Sequence, residues 1–138
     1  MNNRKTSVKA LGEIALRVNN LDAMQKFYEE MIGLELMKRF PNIAFFRIAA
    51  GYAGHTQILA LFDRSSQLNY HGVSAEKSTI DHIAFAISPA DFEAERKRLE
   101  QLGLHVETAE HAWVHWRSLY IKDPDGNEVE LVCYDEQV

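Results

Sequence analysis

Hydrophobic and polar positions alternate with a period of two in a stretch that occurs twice: Gly12-Glu13-Ile14-Ala15-Leu16-Arg17-Val18 and Asp81-His82-Ile83-Ala84-Phe85-Ala86-Ile87. Such alternation marks a strand with one buried and one open face. Ile14, Leu16 and Val18 share a face, as do Ile83, Phe85 and Ile87. Glu13, Ala15 and Arg17 take the opposite face, and so do His82, Ala84 and Ala86. After each strand the apolar spacing changes to that of a helix. Leu21, Met24, Phe27, Tyr28 and Met31 form one stripe, and Phe92, Leu99 and Leu102 the other. The predicted helices are Leu21–Ile32, opened by Asn20 or Asp22, and Ala90–Leu102, opened by Ser88 with Pro89. Gly33-Leu34 and Gly103-Leu104 close them, because glycine adopts the left-handed conformation that ends a helix.

Three strand-like runs follow each helix. In the first half they are about Glu35–Phe40, Ile43–Ala49 and Thr56–Phe62; in the second, about His105–Ala109, Val114–Lys122 and Asn127–Tyr134. Asp123-Pro124-Asp125-Gly126 signals a tight turn before the last strand. The pattern is therefore βαβββ twice, an α+β fold of two tandem modules. Module one spans residues 10–63 and module two residues 79–135, with a polar linker at 64–78, within one domain over 1–138. Helices are expected to cover one sheet face on the outside, leaving the other to curl around a cleft. Ala15, Ala84 and Ala86 on that face leave room for a ligand, or simply allow close packing.

Bulk properties narrow the partners. A net charge of −5 with no basic run argues against nucleic acid. No apolar run reaches the ~20 residues of a membrane span. The polar start, Met1 to Lys9, lacks the apolar core of a signal peptide. The lone Cys133 forms no intramolecular disulfide, so a cytoplasmic location is expected. A small molecule is the expected partner.

Several of these motifs resemble the vicinal oxygen chelate superfamily, the group that includes glyoxalase I, bleomycin-resistance proteins and extradiol dioxygenases. They are His82-Ile83-Ala84-Phe85, then Phe27-Tyr28 with Gly33-Leu34-Glu35-Leu36, and Tyr120 with Asp123-Pro124-Asp125-Gly126-Asn127 and Glu130-Leu131. The resemblance runs from about Leu11 to Tyr134. It implies a divalent metal held by residues of the first and last strands of each module. Carried over, the four ligand positions are Glu13, Ala60, His82 and Glu130. Alanine cannot bind metal, so Glu13, His82 and Glu130 remain, with Glu13 standing where the family usually has histidine.

Imidazole and carboxylate together suit Mn, Ni, Co, Zn or Fe. A Glu, His, Glu set is harder than the two-histidine, one-carboxylate triad of Fe(II) oxygenases, which weighs against ring-cleaving dioxygenase activity. Glu130 alternates with Val129 and Leu131, so its parity is that of the cleft; Glu128 shares it. Trp113, His115 and Arg117 alternate on the seventh strand. They either line the cleft, stacking on and pairing with an anionic aromatic ligand, or lie on the surface. Tyr120 is placed at the cleft rim by the resemblance. His55 and Gln57 differ in parity from Ala60 and reach the cleft only if the strand shifts or bulges.

Two functions follow. In the first, the protein is a glyoxalase-like lyase or isomerase in which the metal binds neighbouring substrate oxygens and Glu13 or Glu130 moves a proton. In the second, it is a metal-free binder of the bleomycin-resistance type. The resemblance also implies a homodimer.

Overall fold

A computed structural model describes residues 6–138. The chain falls into two compact units that part between Gly72 and Val73. The first five residues of the polar N-terminal stretch lie outside the described residues. Among the described residues no helix is long and apolar enough to cross a membrane.

The first unit runs β1 (Glu13–Arg17), α1 (Leu21–Lys26), β2 (Glu35–Phe40), β3 (Ile43–Ala50) and β4 (Thr56–Phe62). Its sheet has the order β1-β4-β3-β2, with β1 parallel to β4 and the other pairs antiparallel. Asn20 caps α1, its Oδ1 accepting the Ala23 N–H at 3.0 Å. The predicted single α-helix is instead α-helical only to Lys26 and continues as a π-helical segment, Phe27–Ile32. This widened turn buries both Phe27 and Tyr28, whose rings meet edge to face at 5.0 Å. Gly33, at φ 88°, ends the segment, and the Leu34 N–H closes back on the Tyr28 carbonyl at 2.9 Å. Leu16, Val18, Leu59, Leu61, Ala44 and Phe46 complete the core with Met24, and Glu13, Ala15 and Arg17 are exposed on the other face. Arg39 of β2 ties the sheet to α1 through Asp22 at 2.8 Å and Gln25 at 2.7 Å.

The second unit repeats the plan: β5 (His82–Ala86), α2 (Phe92–Gln101), β6 (Glu107–His111), β7 (Trp116–Lys122) and β8 (Glu128–Tyr134). A short 3-10 turn, Ala75–Lys77, precedes β5, and another, Pro89–Asp91, leads into α2. The sheet order is β5-β8-β7-β6, again with one parallel pair, β5 with β8. Ser88 Oγ accepts the Ala90 N–H at 3.3 Å, and Gly103 follows α2 at φ 86°. Phe92 and Leu99 of α2 are buried with Ile83, Phe85, Leu119, Ile121, Val129, Leu131 and Cys133. The Asp123 turn holds the start of β8. Its Oδ1 accepts the N–H of Asp125 at 3.0 Å and of Asn127 at 2.9 Å, and its Oδ2 accepts the Asn127 amide at 2.9 Å.

The two parallel pairs share one register. Ile14 pairs with Leu59 as Ile83 pairs with Val129, so the rung Ala15–Ala60 matches the rung Ala84–Glu130. Glu13 accordingly sits in module one where His82 sits in module two. A bulge between Arg47 and Ala49 adds its extra residue to β3, so the alternation of β4 is unbroken and Gln57 keeps the parity of Leu59.

Removal of the Phe27 ring empties space between the π-helical segment and the sheet. Phe27→Ala is expected to cost about 3–5 kcal/mol in urea melts. A loss well under 1 kcal/mol would show that the ring is not part of the core.

Candidate functional site

The parallel pairing of β5 and β8 sets His82 opposite Glu128 and Ala84 opposite Glu130. His82, Ala84, Glu128 and Glu130 thus share the sheet face away from α2. His82 reaches diagonally across Ala84, and its Nε2 lies 3.3 Å from Glu130 Oε1. Its other ring nitrogen, Nδ1, donates to Asp81 Oδ1 at 2.6 Å, since a carboxylate only accepts.

Glu130 is buried, at 5% exposure. A carboxylate taken out of water is costly unless its oxygens are hydrogen-bonded or neutralised. Here Ser118 Oγ, fully buried on β7, donates to Glu130 Oε2 at 2.6 Å. Tyr120 stands directly opposite Glu130 in the register, but its hydroxyl shares a hydrogen bond of 3.1 Å with His111 Nε2. Ser118 and His111 were not singled out from sequence. The period-two alternation of β7 carries a signal for Ser118, since it has the parity of Tyr120, which pairs with Glu130.

The expected alternating set of Trp113, His115 and Arg117 does not form. Strand β7 begins at Trp116, and residues 112–115 make the turn that joins it to β6, closed by the pair His111–Trp116. His115 adopts φ 58° in that turn, and its Nδ1 donates to the Val138 carbonyl at 2.7 Å. Trp113 is 83% exposed, with its ring tilted 6.3 Å from that of Trp116. Arg117 does lie on β7, but on the helix side. Its guanidinium sits 4.3 Å above the Phe92 ring and reaches Glu93 at 3.3 Å and Asp135 at 3.6 Å. It fastens α2 to the sheet, on the face opposite Glu130.

In module one, Glu13 is exposed at the start of β1, and its register partner is Ile58. Ala60, at the rung that Glu130 occupies in module two, is fully buried. His55 lies near the start of β1, where a Cβ added to Gly12 would meet its ring at 3.5 Å. It borders a pocket of about 240 Å³ with Lys9, Leu11, Gly12 and Tyr52, which includes none of the residues around Glu130. Among the described residues, no three His, Cys, Asp or Glu side chains gather into a ready metal cage.

The sequence model described as the Glyoxalase/Bleomycin resistance protein/Dioxygenase superfamily matches residues 10–131. A lactoylglutathione lyase from Agrobacterium tumefaciens is 32% identical, with 93% of this chain and 96% of that one covered at a TM-score of 0.70. The glutathione transferase FosA of Serratia marcescens is 28% identical over 124 residues, 90% of this chain and 80% of that protein. A glyoxalase/dioxygenase from Nostoc punctiforme shares the fold, with a TM-score of 0.72 over 99% of both chains at 23% identity.

The Asp81 carboxylate holds a proton on His82 and raises its pKa above the ordinary 6.5. Partial burial opposes this, and the negative charges of Glu130, Asp81 and Glu128 add to it. The folded protein therefore holds this proton more tightly than the unfolded chain. The associated stability is present below pH 6.5 and is lost as pH rises through the raised folded value. Asp81→Asn removes the largest cause, so the His82 midpoint, followed by NMR of the ring nitrogens in metal-free protein, is expected to fall. An unchanged midpoint would show that Asp81 does not hold the ring.

Proposed function

The chain belongs to the Glyoxalase/Bleomycin resistance protein/Dioxygenase superfamily, and from that premise we propose that it is a small-molecule metalloenzyme whose second module holds a divalent cation on His82 and Glu130. The observation that carries this reading is the pairing of His82 Nε2 with a buried Glu130 oxygen at 3.3 Å. The donor set suits such an ion. The ring's Nδ1 is anchored by Asp81, which aims Nε2 at the carboxylate, and a carboxylate behind a ligating histidine is the usual outer partner in metal sites. Once the His82 ring gives up its second proton, the buried carboxylate beside it is a negative site that a cation compensates.

Glu13, at the position in module one that His82 holds in module two, is proposed as the third ligand. Its place on β1 matches that of His82 on β5, and the superfamily draws ligands from the first strand of each module. Three protein ligands leave coordination positions for substrate. Mn, Ni, Co, Zn and Fe all accept imidazole with carboxylates. When bound, such an ion supplies Lewis acidity to neighbouring oxygens of a substrate.

The chain's own groups do the rest. Tyr120 stands opposite Glu130 with its hydroxyl 3.1 Å from His111 Nε2; its proposed role is to donate a hydrogen bond to a substrate oxygen while accepting one from that ring. Of the two candidate carboxylates, Glu130 has its oxygens facing Ser118 and His82, so Glu13 is the one proposed to accept a proton from a carbon next to a carbonyl, or return it. A lyase or isomerase reaction follows. Two relatives are named for glutathione chemistry, lactoylglutathione lyase and glutathione transferase FosA, which supports a substrate class that includes glutathione adducts. A homodimer in the cytoplasm is the proposed setting.

Calorimetric titration of metal-free protein with Mn(II), Ni(II), Co(II) and Zn(II) tests the reading. About one ion per chain is expected for wild type. His82→Ala is expected to lose that binding while its thermal melt stays close to wild type. Absence of binding by intact protein, or undiminished binding by the variant, would transfer the assignment to a metal-free binding protein.

A further inference from the structure

We propose that Ser118 makes Glu130 a one-oxygen ligand and thereby selects small divalent cations over calcium. The inference rests on the reading of His82 and Glu130 as cation ligands. Glu130 has two oxygens in different surroundings. Oε2 accepts the Ser118 hydroxyl at 2.6 Å, and Oε1 faces His82 Nε2 at 3.3 Å. A hydroxyl-to-carboxylate bond of that length is of the strong, charge-assisted kind. Ser118 is fully buried, so water does not compete for its hydroxyl. Oε2 is therefore committed to the protein, and Oε1 is the atom offered beside the histidine.

The strand register explains why serine has this role. Ser118 lies opposite Val132 and reaches Glu130 along the diagonal, two residues away on β8. The residue directly opposite Glu130 is Tyr120, whose hydroxyl goes to His111 instead. On its other side Ser118 pairs with Ala109 of β6, which brings no hydrogen-bonding side chain to compete.

Denticity matters to the ion. Calcium collects about 6–8 oxygens and can take a carboxylate through both of its oxygens. Zinc binds nitrogen and single carboxylate oxygens at about 2.0–2.2 Å, usually with four ligands in all. A carboxylate pinned through one oxygen loses the two-oxygen geometry open to calcium and keeps the one that zinc accepts. Ser118 is thus a positioning residue: it acts on the cation through Glu130.

The test measures dissociation constants of Zn(II), Mn(II) and Ca(II) for metal-free wild type, Ser118→Ala and Ser118→Thr by calorimetry, with thermal melts as the check on folding. Ser118→Ala is expected to weaken Zn(II) and Mn(II) binding about tenfold, the lower end for loss of an outer partner. It is also expected to narrow the preference for Mn(II) over Ca(II) by about tenfold, because Oε2 is released. Ser118→Thr keeps the hydroxyl and is expected to restore both. If the alanine variant does not fold, Ser118→Cys, with its weak donor, is expected to show the same narrowing. Wild type that binds these ions with an ion preference unchanged in the variants overturns the role of Ser118 alone. Wild type that binds none overturns the metal site and this role together.

Discussion

The helix-covered sheet face governs each module. A sheet whose one face is sealed by a helix must send every side chain of one parity into the core and every side chain of the other away from it. In module two, Ile83, Phe85, Leu119, Ile121, Val129, Leu131 and Cys133 take the sealed face. A slip of one residue in any of these strands would carry that whole set out of the core, so the register is tightly held. The polar residues His82, Ser118, Tyr120 and Glu130 then have no choice of side, and their proximity is a by-product of packing the opposite face.

Within that face, diagonal contacts matter more than direct ones. The direct partners of Glu130 are Ala84, which is small, and Tyr120, whose hydroxyl turns to His111. Two of its four diagonal neighbours, His82 on β5 and Ser118 on β7, reach the carboxylate from either side. The missing bulk at Ala84 gives the imidazole its path. The Asp123 turn, with three hydrogen bonds to one carboxylate, holds the first residues of β8 in place just ahead of this arrangement.

The duplicated scaffold has diverged on its open faces. Where module two carries Glu130 on its parallel rung, module one carries buried Ala60. Around that rung module one has aromatic rings: Phe45 meets Phe62 at 6.3 Å and Phe40 at 6.1 Å, both edge to face, and the Arg64 guanidinium lies 4.5 Å over Phe62. The same register thus supports a hydrogen-bonded carboxylate in one sheet and an apolar cluster in the other. The difference at this rung is one of side chains, since β1 with β4 and β5 with β8 pair in the same register.

The alternation in the amino-acid sequence was enough to find eight strand-forming runs and two helical stripes, a cap at Asn20 or Asp22 for the first and at Ser88 for the second, and the match of Ala60 with Glu130; β6 starts at Glu107 rather than His105, β7 at Trp116 rather than Val114, and α2 at Phe92 rather than Ala90. Each of these follows from local periodicity, turn chemistry or comparison of one half with the other. Parity also put His82 and Glu130 on one face. The α-to-π transition after Lys26, the turn that takes Trp113 and His115 out of β7, and the capture of Arg117 by Phe92, Glu93 and Asp135 came only with the packed structure. So did the partners of the candidate ligands, Asp81 and Ser118. Period two tells which way a side chain points. It does not tell which residue of the neighbouring strand it meets, because that depends on where the intervening turn ends and how the helix settles on the opposite face.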